Sequence, residues 1–162
     1  MTRLRNTKLI SILSLLAFFS FASQADTEQE LQQFWQDAAK TVISGDFDGY
    51  AATFAQDAIL VSDIAKTSYP ISQALSRWQK GFNETKAGKI KAGVSFKFTS
   101  SLISDKTAHQ SGYFYYFSDN GKGELSPFIA QFEALLIKKA DKWQVIMERH
   151  IKQVDLATWQ SI

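Results

Sequence analysis

The chain has 162 residues, no cysteine, 14% aromatic residues and a formal charge of +2. Three of the 18 Lys+Arg and none of the 16 Asp+Glu fall in residues 1–25, so the rest carries 15 bases against 16 acids, a charge of −1. That balance lacks the basic footprint of a nucleic-acid binder, and without cysteine no disulfide is available, so core burial has to stabilise the fold.

Residues 1–25 read as a secretory signal peptide. Arg3, Arg5 and Lys8 form a positive start, Leu9 to Ala22 is apolar apart from small serines, and Ser23-Gln24-Ala25 supplies small residues before the acidic Asp26. The run is shorter than the roughly 20 residues that span a bilayer. The mature protein is therefore expected away from the membrane, in the periplasm of a bacterium or otherwise secreted. Residues 26–162 suffice for a single domain.

In that domain Thr27 to Glu30 has the spacing of a capping box, and Leu31, Phe34, Trp35, Ala38, Ala39 and Val42 recur at three and four, which predicts a first helix with one apolar stripe. Gly45 ends it, and Asp46 caps a shorter helix carrying Phe47, Tyr50, Ala51 and Phe54. Ala58 to Val61 is of strand type and Tyr69-Pro70 marks a turn. Leu75, Trp78 and Phe82 share one side of a third helix. From Lys89 the period changes to two, and Asp119 to Gly123 and Lys139 to Lys142 supply hairpin turns. Asp155 to Ile162 is expected to form one helical turn with Leu156 and Trp159 inward. Helices followed by a meander predict an α+β fold, with three N-terminal helices packed on a curved, mostly antiparallel sheet.

Ser44-Gly45-Asp46-Phe47-Asp48-Gly49-Tyr50, then Phe54-Ala55-Gln56-Asp57-Ala58 and the closing Asp141-Lys142-Trp143, resemble the nuclear transport factor 2-like superfamily, especially its SnoaL-like and ketosteroid-isomerase-like branches. The resemblance spans nearly the whole of residues 26–162 and implies a cone-shaped fold. That fold hosts isomerases, dehydratases, hydrolases, binders and assembly modules, so it does not name a function. The isomerase's helix-1 tyrosine falls on Ala38 and its general-base aspartate on Ser62, with Asp63 one residue off, which argues against steroid isomerisation. The oxyanion-hole acid of the isomerase falls on Glu133.

With Ala140 and Asp141 as central turn residues, the last hairpin is expected to place Leu135 opposite Ile146, Glu133 opposite Glu148 and Gln131 opposite His150, on one face. The other face would carry Phe132, Ala134, Leu136, Val145 and Met147, with Arg149. Pattern alone makes that second face the core and leaves Glu133 in water. The resemblance instead turns Glu133 towards the concave pocket and leaves the apolar face for a homodimer. Under the second reading His109, Ser111, Tyr113 and Tyr115 also point inward beneath Trp78, and Arg149 points outward beside Phe132 and Met147.

The expected site therefore has His150 as base and Glu133 as acid, with Trp78, His109, Tyr113, Tyr115, Gln131 and Glu148 binding a small, partly apolar ligand. No cofactor is expected. A metal held by His109, His150 and a carboxylate has no supporting local motif. Nucleophilic catalysis has no support, because Gln110-Ser111-Gly112 lacks a nucleophile elbow's flanking glycine. The readings carried forward are a small-molecule binder, a cofactor-free lyase or isomerase, and a dimerising interaction module.

Overall fold

The computed structural model describes residues 13–119 and 121–162, with side chains from Asp26 onward. The first helix, α1 (Leu13–Ser44), runs through the expected cleavage point and does not begin at Thr27. The rest of the expected signal segment lies outside the described residues. Leu31, Trp35, Ala38 and Val42 are buried along one stripe of α1. Gly45, at φ +70°, stops the helix, and a Cβ there would strike the backbone of Phe82 and Lys86. Asp46 then caps α2 (Phe47–Ala51), its carboxylate accepting from Gly49 N at 3.0 Å.

Phe54 does not extend α2, as its spacing had implied, but opens β1 (Phe54–Ser62). β1 turns back into β2 (Thr67–Pro70), and α3 (Ile71–Lys86) follows, burying Ile71, Ala74 and Phe82. The meander consists of β3 (Ala92–Ile103), β4 (Thr107–Asp119), β5 (Leu125–Lys139) and β6 (Lys142–Gln153). The sheet order is β2-β1-β6-β5-β4-β3, antiparallel except for the β1–β6 pair. The fold is thus α+β, with a mostly antiparallel curved sheet. Two strands separate α2 from α3, and a further helix, α4 (Leu156–Gln160), follows the sheet.

The last hairpin turns where expected. Ala140 and Asp141 both have positive φ, and Lys139 pairs with Lys142, the geometry of a type I′ turn. Four residues later the ladder slips: Leu136 faces Val145 while Leu135 faces Met147, so Ile146 is an extra residue in a β-bulge. Beyond the bulge Ala134 faces Glu148, Glu133 faces Arg149 and Phe132 faces His150, and a second slip at Ile151 pairs Gln131 with Lys152. One inserted residue reverses the relation between the faces of β5 and β6. Glu148 and His150 keep the helix-covered side, but Glu133 and Gln131 lie on the outer side.

β4 and β5 pair without a slip, which aligns Gly112 with Phe132, Tyr113 with Gln131 and His109 with Leu135. His109, Ser111, Tyr113 and Tyr115 are therefore also on the outer face, contrary to the inward placement. The proposed dimer face is corrected in the same way. Phe132, Ala134, Leu136 and Val145 are at most 1% exposed and form the core of one copy. On β5 the pattern-based choice of core matches the structure, whereas on β6 the bulge turns Met147 and Arg149 outward and leaves Glu148 and His150 on the inner side.

Ring packing sets where the core is solid. Trp35 lies 4.7 Å from Phe96, 5.3 Å from Phe98 and 5.8 Å from Phe132 between ring centroids. Its indole N–H donates to Gln110 Oε1 at 2.7 Å, and Gln110 in turn donates to Ser101 Oγ at 3.0 Å, so the polar groups enclosed there are paired. On the outer face α4 lies over the sheet: Trp159 packs on Tyr115, and Lys97 donates to the Trp159 and Ile162 carbonyls. Leu156, expected inward, is 51% exposed.

Candidate functional site

Towards the other end of the helix-covered face the layers do not meet, and a cavity of about 340 Å³ remains. α3 provides one wall with Trp78 and Phe82, and Val42 of α1 and Tyr50 of α2 close its side. The sheet provides the opposite wall with Val94, Phe96, Phe114, Tyr116 and Phe128. At the side of this space Tyr50 of α2 packs edge-on against Trp78 at 6.1 Å and tilted against Phe82 at 5.1 Å.

Two polar residues project from β6 into this apolar space. Glu148 is paired across the ladder with the small Ala134, and His150 with Phe132. Glu148 Oε1 lies 2.6 Å from His150 Nε2, with both side chains largely shielded. A carboxylate at that distance fixes the hydrogen on Nε2, so in the neutral ring Nδ1 carries the lone pair. Among the described residues neither Nδ1 nor Glu148 Oε2 has a protein hydrogen-bond partner, and no fully enclosed polar atom goes unpaired. The arrangement holds one acceptor pair ready for a guest.

The Tyr50 phenol is pushed well above its ordinary range, first by burial and then by the negative charge of Glu148 and by Tyr116. It stays protonated at any physiological pH and is a hydrogen-bond donor. Thr85 is less available, since its hydroxyl donates back to Gly81 O at 2.9 Å.

Of the residues singled out from sequence, the structure brings Trp78, Glu148 and His150 to the cavity. It leaves Glu133, Gln131, His109, Tyr113 and Tyr115 on the far side of the sheet. There Glu133 sits 3.6 Å from Arg149, whose guanidinium is bound more closely by Asp63 at 2.7 Å. Arg149 does point outward, but beside these acids rather than over Phe132, and they hold its pKa above the ordinary value. His109 and His150 occupy opposite faces and cannot share a metal. Among the described residues no group of three ligating side chains is close enough to hold one.

Sequence reading missed Arg77, Phe114, Tyr116 and Phe128 at the cavity and treated Tyr50 only as part of a helical stripe. The apolar run Val145-Ile146-Met147 breaks strict alternation and marks the bulge that sets the face of Glu148 and His150.

No protein-family signature and no curated protein matches the chain. Solved structures do match it in fold. An NTF-2-like protein of unknown function from Shewanella oneidensis MR-1 superposes with a TM-score of 0.58 at 16% identity, over 75% of this chain and 96% of that one. A ketosteroid isomerase-like protein from Erwinia carotovora gives 0.56 at 14% identity, over 78% and 95%. A Catenulispora acidiphila protein in complex with S-DNPA gives 0.60 at 18% identity, over 78% and 95%. The chain has the nuclear transport factor 2-like fold.

Proposed function

We propose that this chain is an exported small-molecule-binding domain of the SnoaL-like kind, with its ligand in the cavity between α3 and the sheet. The observation that carries this reading is an aromatic cavity of about 340 Å³ containing a single shielded Glu148–His150 pair with open acceptor atoms. An apolar enclosure with a few convergent polar groups is the usual makeup of a ligand site. The fold likeness supports it, since one of the matched proteins is bound to S-DNPA. Thermal unfolding across a metabolite library tests the reading. A ligand that raises the melting temperature of the natural protein, and does so far less in Trp78→Ala, is expected. A library that shifts neither protein would sink it. Export rests on residues 1–25, and a mature chain beginning at Asp26 outside the cytoplasm is the expected product. An intact Met1 chain recovered from the cytoplasm argues against export.

A second reading, cofactor-free proton transfer in the same cavity, is favoured by the 2.6 Å contact itself. Glu148 would hold the imidazole, and Nδ1 would take a proton from the carbon next to a ligand carbonyl. The electron pair would move to the carbonyl oxygen, which a tyrosine phenol, Tyr50 or Tyr116, would stabilise by donation. Glu133 has no part in it. Solvent-deuterium incorporation into a bound ketone, followed by NMR, separates the readings: exchange that disappears in His150→Gln with affinity retained supports proton transfer, and no exchange in the natural protein excludes it.

A further inference from the structure

The cavity has polar groups of two kinds. Glu148 and His150 are its shielded pair, whereas Arg77, on α3, is exposed and lines the same cavity where it opens. Among the described residues Arg77 is the sole lysine or arginine lining it. Among the described residues no carboxylate lies within ion-pair distance of Arg77, and Glu84 on the same helix is engaged by Lys80. The guanidinium is instead seated over the ring of Tyr69, 4.6 Å from its centroid. Stacking on a ring positions the guanidinium without neutralising it and leaves its edge N–H donors facing outward for an anion.

We propose, building on the binding reading above, that the ligand is an amphipathic carboxylic acid. Its carboxylate lies against Arg77 at the mouth, its ring-containing body enters the aromatic space under Trp78, and a hydroxyl or keto group meets the Glu148–His150 pair. The orientation follows from charge. A ligand carboxylate at the shielded pair would face Glu148 in an apolar surround, where like charges are costly. An organic cation would compete with the imidazole for Glu148 and leave the arginine at the mouth unanswered. The volume, about 340 Å³, is at the small end of ligand pockets and suits a body of one or two rings.

Calorimetric titration with three probes that share a two-ring body tests this: 6-hydroxy-2-naphthoic acid, its methyl ester, and 2-naphthylmethylamine. The acid is expected to bind the natural protein roughly two- to fivefold more tightly than the ester, the range of a partly exposed charge contact. Arg77→Gln should remove that margin by weakening the acid far more than the ester, and Arg77→Lys should restore part of it. The proposal is overturned if the ester equals the acid, if the acid's advantage survives Arg77→Gln, if the amine binds best, or if none of the three binds. Ester binding without acid preference leaves the cavity reading intact, and the library experiment decides that reading separately.

Discussion

Trp35 and Trp78 project from different helices onto the same face of one sheet, yet one end of the cone is solid and the other is open. Trp35 is wedged among three phenylalanines and its N–H is matched by Gln110. Trp78 has one long ring contact, to Tyr50, and is only half-buried. Beneath Trp35 the buried polar groups satisfy one another. Beneath Trp78 the Glu148–His150 pair keeps two atoms without protein partners. Aromatic content therefore does not separate core from site. What separates them is whether the enclosed polar groups are already answered by the protein.

The contrast predicts unequal costs. Trp35→Ala should lose about 3–5 kcal/mol in urea unfolding, the usual range for emptying a packed aromatic site. Trp78→Ala should lose only about 1 kcal/mol, because its ring already borders a void. Equal losses would mean that the two ends are not distinct. Next in size is Gln110→Leu, expected to cost about 1–3 kcal/mol by stranding the Trp35 N–H. A Trp35→Phe background should remove most of that cost in a double-mutant cycle, and an undiminished cost would show that Gln110 acts through packing instead.

A smaller effect contrasts the two glutamates that sequence reasoning placed together. Once a ligand is found, Glu148→Gln should weaken it about tenfold and Glu133→Gln by less than about twofold, since only the first faces the cavity. Reversed sensitivities in a titration would contradict the bulged register. Smallest is a pH effect at the foot of the solid end. Glu30 is held below its ordinary pKa first by the hydrogen bond from Lys138 and then by that from Trp143. Its contribution is full above the usual carboxylate value of about 4.3 and is lost as pH falls through the lowered folded-state value. The pair is partly exposed, so the amount should stay below about 1 kcal/mol. Glu30→Gln should flatten the stability profile between about pH 5 and pH 3, and an unchanged slope would remove Glu30 from the acid response.

The helices and the last turn were legible because each depends on neighbours in the chain. The three-and-four stripe of α1, the Gly45–Asp46 break and the Ala140–Asp141 turn all appear near where local chemistry puts them. The start of α1 differed, since the apolar residues before Thr27 continue the helix rather than leaving the capping box at its end. The site was legible only in part. Trp78, Glu148 and His150 line the cavity, whereas Glu133, Gln131, His109, Tyr113 and Tyr115 lie on the face opposite to the one expected.

Sequence by itself determined the three longer helical stripes' general positions, the meander of strands after Lys89 and the place of the final hairpin turn, since these follow from spacing over a few residues. Tertiary structure decided which carboxylate faces the cavity. That choice rests on one extra residue, Ile146, and the ladder transmits its shift from Met147 to His150, up to the second slip at Ile151. It also decided that one tryptophan closes the core and the other roofs a cavity. The distance at which α3 stands from the sheet is set by packing among α1, α2 and five strands, and no local pattern encodes it.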